Sequence, residues 1–197
     1  LMIRSVAVNF LYNNSELVSY GHYPSRIPEP VIEIKNALDE HDTLVWRSIF
    51  RLKTEIKTAI ESIESFSPSA ILIDGSILPL AGDRPNKESE IFNDYTELID
   101  LYKKLYSLCR EKNTTLLGII KDSRGKRFMD IIGGRKIEEG GERLSCNDSI
   151  FLNYFLKEKE RTSVIYYAKG QKQPILKDLG EFVNNLYICY LKITKND

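Results

Sequence analysis

The chain has 197 residues, of which 42% are hydrophobic and 28% charged, a balance typical of a globular domain with one sizeable core rather than of a disordered chain. Lysine plus arginine and aspartate plus glutamate both number 28, so the formal net charge is zero and any nucleic-acid contact needs a local basic patch. No apolar run approaches the roughly 20 residues that span a bilayer, and the three cysteines form no CxxC pair, so a membrane protein, a zinc site and a disulfide framework are disfavoured and a cytoplasmic location is expected.

The first thirty residues predict a β-hairpin followed by an irregular loop. Residues 2–11 alternate in polarity and are rich in β-branched and aromatic side chains, which is typical of a strand. Asn13-Asn14 is a turn signal, and residues 15–20 can return as the second arm. Three prolines within residues 23–30 then predict a segment without regular structure.

Two long helices are predicted in the middle of the chain. Apolar residues recur at three- and four-residue steps from about Asp42 to Phe66. Asp42 or Thr43 is the predicted N-cap, and Pro68 is the stop signal. The same spacing predicts a second helix over about residues 88–112.

Strands are predicted to alternate with these helices. Residues 70–73 and 114–120 are short, largely apolar runs, as in strands buried on both faces. The remaining predicted elements are a helix over 147–157, starting at Asn147 or Asp148, and strands over 162–168 and 186–194. Because strands that alternate with helices pair in parallel, the order predicts an α/β fold with a ribonuclease H-like mixed sheet flanked by helices.

The chain is expected to be a single domain over residues 1–197 that is incomplete at both ends. It begins directly with strand-like residues and ends just after another strand-like run. A ribonuclease H-like core starts with three antiparallel strands, and the first of them is expected to precede Leu1.

Asp74 is the first candidate for a catalytic, metal-binding side chain. It follows the apolar run 70–73 within an Asp-Gly-Ser sequence, at a strand end, where α/β sheets present ligand-binding groups. A carboxylate at this place suits Mn²⁺ or Mg²⁺, which prefer oxygen ligands. The alternative is an Asp-Gly turn with no role in binding, which is a very common sequence.

Glu55 is the second candidate for a catalytic, metal-binding side chain. It lies beside the apolar stripe of the first long helix rather than opposite it, so its carboxylate could reach the end of the neighbouring strand and share a metal with Asp74. The alternative is a surface ion pair with Arg51, one helical turn earlier.

Asp122 is the third candidate for a catalytic side chain, because it also follows a predicted buried strand. The neighbouring Lys121 and Arg124, with Lys126 and Arg127, form a basic segment that could grip DNA phosphates. The alternative is an ordinary solvated junction between a strand and a loop.

Five tyrosines in the last quarter of the chain could stack on unpaired bases. They are Tyr154, Tyr166, Tyr167, Tyr187 and Tyr190. The alternative is that they are core or cross-strand partners, which is the commoner role of tyrosine in strands.

The order and spacing of five segments resemble the NurA family of DNA-end-processing nucleases over nearly the whole chain. These segments are the helix with Glu55, ILIDGSILPL, LLGIIKDSRG, NDSIFLNYFL and YICYLKI. By position, Asp74 matches the acid of the family's second Asp-Gly-Ser strand, and Glu55 matches the helical glutamate before it. The segment from Lys121 to Arg124 matches the strand-end motif that follows.

Two departures from the family's pattern accompany the resemblance. The family's first catalytic aspartate lies in an earlier Asp-Gly-Ser strand, which would precede Leu1. The family's late tyrosine and histidine have no counterpart, because His22 and His41 both lie early in the chain.

The resemblance implies a ribonuclease H-like fold, a homodimer and a deoxyribonuclease that depends on Mn²⁺ or Mg²⁺. The implied activities are 5′–3′ exonuclease and single-strand endonuclease cleavage of DNA. The implied partner is a hexameric HerA-type ATPase, with which the family resects double-strand breaks for homologous recombination in archaea. Two other classes stay open: a non-catalytic dimerisation or helicase-docking module, and a ribonuclease H-like enzyme that acts on RNA or a recombination intermediate.

Overall fold

The computed structural model has a mixed α/β architecture made of small sheets and helices. It describes residues 1–35, 38–121, 125–133, 146–168 and 173–194. Contacts group the chain into two compact units, of which the first comprises Leu1–Ile119 with Lys172–Val183 and the second Ile120–Gln171 with Asn184–Asp197.

The described elements are named here in chain order. The strands are β1 (Met2–Ile3), β2 (Ala7–Asn13), β3 (Glu16–Tyr23), β4 (Val31–Ile32), β5 (Ala70–Asp74), β6 (Thr115–Ile119), β7 (Ile165–Tyr166) and β8 (Tyr187–Ile188). The helices are α1 (Glu40–Phe66), α2 (Phe92–Glu111), α3 (Arg127–Gly133), α4 (Asp148–Phe155) and α5 (Pro174–Asp178), with short 3₁₀ helices at Ala81–Asp83 and Gly180–Asn185.

The first unit opens with two antiparallel pairs, β1 with β4 and β2 with β3. The predicted hairpin is confirmed, but the single strand predicted over residues 2–11 is wrong. It is two strands, because Met2–Ile3 pair with β4 whereas the following strand pairs with β3. Asn14 and Ser15 form the hairpin turn with positive φ angles of 46° and 69°.

Helix α1 begins earlier than predicted because its N-cap is Asp39 rather than Asp42 or Thr43. The Asp39 side chain accepts a hydrogen bond from the Asp42 backbone N–H at 2.7 Å, which satisfies one of the unpaired donors of the first turn. The last helical residue is Phe66, and the C-cap Ser67 adopts a left-handed conformation. The helix thus stops just before Pro68, as predicted.

Strands β5 and β6 pair in parallel, with Asp74 opposite Ile119, which confirms the predicted pairing. The prediction that both faces of these strands are buried is wrong for the described residues. Ile73 is 6% exposed and packs into the core, whereas Leu72 and Leu117, on the other face, are 61% and 44% exposed. The covering helices α1 and α2 pack against each other and against these strands on one side only.

The second unit has a buried carboxylate at its centre. Asp148 is fully buried and accepts hydrogen bonds from the Phe128 and Met129 backbone N–H groups, so it caps the first turn of α3. Helix α4 starts as predicted, with Asn147 as its N-cap. The two predicted closing strands are confirmed as an antiparallel pair, but they are short, at Ile165–Tyr166 and Tyr187–Ile188.

The described strands form four separate two-stranded pairs rather than one continuous mixed sheet. The mixed α/β class is therefore confirmed, whereas the ribonuclease H-like topology stays a prediction. In the described part of the chain, no helix is long and apolar enough to cross a membrane.

Candidate active site

The site is built around the end of strand β5. Asp74 is the last residue of the strand and is exposed. Gly75 follows with a φ angle of 134°, a backbone conformation that residues other than glycine rarely adopt. Its N–H donates to the Ile119 carbonyl at 3.0 Å. The turn after Asp74 is thereby tied to the neighbouring strand β6.

Gly118 on β6 makes room for this turn. A Cβ atom at Gly118 would lie 2.6 Å from the Gly75 carbonyl oxygen and 2.9 Å from Cγ2 of Ile77, too close for either to stay in place. The turn is fixed further by the Tyr106 hydroxyl, which donates to the Ile77 carbonyl. Asp74 is therefore followed by a turn held in place from strand β6 and helix α2.

Glu55 lies on α1, with its side chain 24% exposed. Its Oε2 accepts a hydrogen bond from Nη1 of Arg51 at 3.3 Å, so the ion pair expected under the alternative interpretation is present. Burial raises the pKa of Glu55, the Arg51 charge opposes this rise, and the negative charge of Asp74 adds to it. The Asp74 contribution means that the two carboxylates are close enough to interact electrostatically.

The two acids approach the end of β5 from different sides. By strand alternation Asp74 shares a face with the exposed Leu72, whereas Ile73 faces the helices. Glu55 belongs to the helical side, since it stands on α1 next to the buried Ile56. Their electrostatic interaction therefore acts across the end of the strand rather than along one face.

The residues present fit a divalent cation in part. The described residues contain no cluster of three or more side chains of the kind that holds a metal. Mg²⁺ and similar hard cations are, however, often held by one or two carboxylates, with water and substrate phosphates completing the shell. The exposed Asp74 and the partly buried Glu55, whose pKa is raised by burial and by the charge of Asp74, provide two carboxylates of this kind.

A comparison with protein families matches residues 6–197 to the model of the NurA domain. The chain belongs to the NurA family. The family is one of nucleases, so Asp74 and Glu55 of this NurA domain lie in a chain that belongs to a nuclease family. Neither the comparison with curated proteins nor the comparison with solved structures found a match.

The other residues predicted to be catalytic or phosphate-binding in this NurA domain belong to the second unit. Asp122 and Arg124 lie outside the described residues. Lys121 and Lys126 are exposed. Arg127 is half-buried, donates from Nη2 to the Tyr167 carbonyl at 2.6 Å, and lies 5.9 Å from the centre of the Tyr167 ring. Part of its hydrogen-bonding capacity is therefore already used inside the unit.

The predicted base-stacking tyrosines have different surroundings. Tyr154 is 86% exposed. Tyr166 and Tyr187 face each other across β7 and β8, with ring centroids 5.9 Å apart. The Tyr190 hydroxyl donates to the buried Asp148 carboxylate, and Tyr167 packs against an arginine. Four of the five thus have the structural contacts that the alternative interpretation expected.

Sequence reasoning missed two residues next to the strand-end acids of this NurA domain. Gly118 has a sequence signal, because a glycine inside an apolar strand often marks a close backbone approach. Tyr102 belongs to the apolar spacing that predicts the second long helix, and it is completely buried. That spacing does not indicate that its hydroxyl has no partner among the described residues.

Proposed function

We propose that this NurA domain is a metal-dependent deoxyribonuclease whose metal site includes Glu55 and Asp74. The supporting observation is the electrostatic interaction of these two carboxylates at the end of β5. An acid with a perturbed pKa, here Glu55, is a feature of many catalytic sites, and α/β proteins bind ligands at strand ends such as that of Asp74. Membership of a nuclease family favours a catalytic role for this pair over the alternative of an Asp-Gly turn with no role in binding.

The chain's own residues have distinct roles in this proposal. Glu55 and Asp74 hold Mn²⁺ or Mg²⁺ through carboxylate oxygens, and Asp122 assists them. When bound, the cation supplies an activated water and offsets the charge that develops on the leaving oxygen of the phosphodiester. Lys121, Arg124, Lys126 and Arg127 orient the DNA phosphates by charge-assisted hydrogen bonds.

The finer assignment follows the family resemblance. We propose that the domain acts as a homodimer in the cytoplasm and cleaves DNA as a 5′–3′ exonuclease and a single-strand endonuclease. Its proposed partner is a HerA-type hexameric ATPase in the resection of double-strand breaks. Because the described surface near Asp74 includes the exposed Leu72 and Leu117, an apolar contact with a protein partner is compatible with this assignment.

The direct test is the degradation of linear DNA in Mn²⁺ by Asp74→Ala. We expect the rate to fall at least about 100-fold, more than the usual effect of removing a group that only supports a metal ligand. The matched control is Asp100→Ala, which removes an acid whose side chain is 69% exposed on the outer face of α2. Full activity in Asp74→Ala would reject the proposed site, and equal loss in both variants would indicate a general charge effect.

A non-catalytic docking or dimerisation module is the second candidate. It is favoured by the exposed apolar side chains on hairpin β2–β3, where Phe10, Tyr12 and Tyr20 are 53%, 60% and 73% exposed, and by the lack of a three-ligand cluster in the described residues. Calorimetry separates the candidates, because a module would bind the ATPase without binding Mn²⁺. Parallel assays on DNA and RNA strands of one sequence would detect a ribonuclease instead.

A further inference from the structure

The Tyr102 hydroxyl is an unusual polar group in the core of the first unit. Tyr102 lies on α2 with 0% of its surface exposed, and its hydroxyl has no hydrogen-bond partner among the described residues. The other buried tyrosines of α2 are paired, since Tyr95 donates to Asp178 and Tyr106 donates to the Ile77 carbonyl. An unpaired buried hydroxyl is destabilising, and native structures seldom keep one without a functional or structural reason.

The surroundings of this hydroxyl contain two carboxylates. Ser48, Leu52 and Glu55 follow one another at four- and three-residue steps, so they lie along one stripe of α1. Ser48 at one end of this stripe donates to the buried Asp83, and Glu55 is at the other end. Tyr102 is buried on α2, which packs against α1. Burial first, and then the negative charges of Glu55 and Asp83, raise the pKa of Tyr102, so its hydroxyl stays protonated.

Glu55 has more unused acceptor capacity than Asp83 among the described residues. Asp83 already accepts from the Ser48 hydroxyl through Oδ1 and from the Leu80 N–H through Oδ2. Glu55 accepts only from Arg51, through Oε2, among the described residues. The Arg51 contact is long at 3.3 Å and Arg51 is 56% exposed, so this pair contributes little to stability.

We propose that Tyr102 is a positioning residue whose hydroxyl donates a hydrogen bond to the Glu55 carboxylate when Glu55 turns from Arg51 to bind a divalent cation. This inference rests on the proposed metal site. The hydroxyl has no partner among the described residues, and donation to Glu55 would give it one. Hydrogen bonds to ligating carboxylates fix their orientation and strengthen metal binding.

The test compares Tyr102→Phe with the unaltered chain by calorimetric titration of Mn²⁺ and by thermal unfolding without metal. We expect the Mn²⁺ dissociation constant to rise about ten-fold, the lower end of the effect of outer-shell partners. We expect the metal-free melting temperature to stay the same or rise, because the substitution removes an unpaired buried hydroxyl. A purely structural tyrosine would not change the affinity for Mn²⁺.

Tyr95→Phe is the matched control, and its expected pattern is the reverse. It removes a hydroxyl that donates to Asp178 at 2.7 Å, so the melting temperature should fall while Mn²⁺ affinity stays unchanged. Unchanged Mn²⁺ affinity in Tyr102→Phe would overturn the positioning role while leaving the metal site intact, provided that the unaltered chain binds Mn²⁺. A lower metal-free melting temperature in Tyr102→Phe would also overturn it, and no Mn²⁺ binding by the unaltered chain would overturn both proposals.

Discussion

The two faces of the β5–β6 pair differ in what covers them. One face carries Ile73, which is 6% exposed and packs towards α1 and α2. The other face carries Leu72, Leu117 and Ile119, which are 61%, 44% and 43% exposed, and ends in Asp74. Both faces carry aliphatic side chains, but only the face with Ile73 contributes a buried one to the core.

Because of this difference, we expect one face of strand β5 to contribute to stability and the other to contribute to activity. Burial of apolar surface contributes stabilisation only where other groups exclude water, which here is the helical face. The open face places Asp74 at the end of a row of exposed side chains, where substrate or a partner can reach it. Substitutions on the helical face should therefore change stability, and those near Asp74 should change activity.

The prediction with the largest expected effect compares substitutions of two neighbouring residues on opposite faces of β5. Ile73→Ala should lower the free energy of unfolding by about 2–5 kcal/mol, because it leaves a cavity among packed side chains. Leu72→Ala, one residue earlier on the open face, should change it by no more than about 0.5 kcal/mol. Urea denaturation of both variants provides the measurement. Equal destabilisation would mean that a second surface covers the open face in solution.

A second prediction concerns the turn at residues 75–77, which directly follows Asp74. Gly118→Ala should displace residues 75–77, because the added methyl group would lie 2.6 Å from the Gly75 carbonyl oxygen. We expect a loss of about 1–3 kcal/mol in unfolding free energy, as for other overpacked sites, and a reduced rate of DNA cleavage. Gly82→Ala is the control, since a Cβ there meets nothing within 4 Å. Normal cleavage by Gly118→Ala would show that the turn does not set the position of Asp74.

Much of this architecture follows from the sequence because the signals are local. The parallel pair β5–β6 was predicted from two apolar runs that flank a helix, and α1 from its regular apolar spacing. The predicted start of α1 was too late because Asp39 and Asp42 are both suitable N-caps. Only the structure shows that the Asp39 side chain accepts the hydrogen bond from the Asp42 N–H. Which face of β5 is covered depends on where the helices pack. Leu72 and Ile73 are both aliphatic, so the sequence does not show which of the two is buried.

The candidate site was predictable to a smaller extent. The place of Asp74 at the end of an apolar run is a local feature, and so is the position of Glu55 beside the stripe of α1. Tyr102 was missed as a polar group because its apolar spacing on α2 is the same whether or not its hydroxyl finds a partner on α1. The electrostatic surroundings of a buried group are set by residues distant in sequence, here Glu55 and Asp83.

The smallest expected effect concerns a polar cluster that attaches α5 to the helical layer. Arg84 and the Tyr95 hydroxyl both donate to the Asp178 carboxylate at 2.7 Å. Burial alone would raise the pKa of Asp178, but these two hydrogen bonds and the Arg84 charge outweigh burial and lower it. Because the folded-state pKa is below that of the unfolded chain, the carboxylate stabilises the fold at neutral pH. This contribution is lost as the pH falls through the lowered value.

Asp178→Asn should therefore be less stable than the unaltered chain by about 1 kcal/mol at pH 7, the usual net value of such hydrogen bonds. The difference should begin to shrink as the pH falls below about 4, the unfolded-state value, and should continue to shrink as the pH falls through the lowered folded-state pKa of Asp178. Denaturant unfolding at pH 7, 5 and 3 measures this, with the exposed Asp100→Asn as a control that should show little difference at any pH. A difference that persists at pH 3 would mean that Asp178 stabilises α5 by shape and neutral hydrogen bonding.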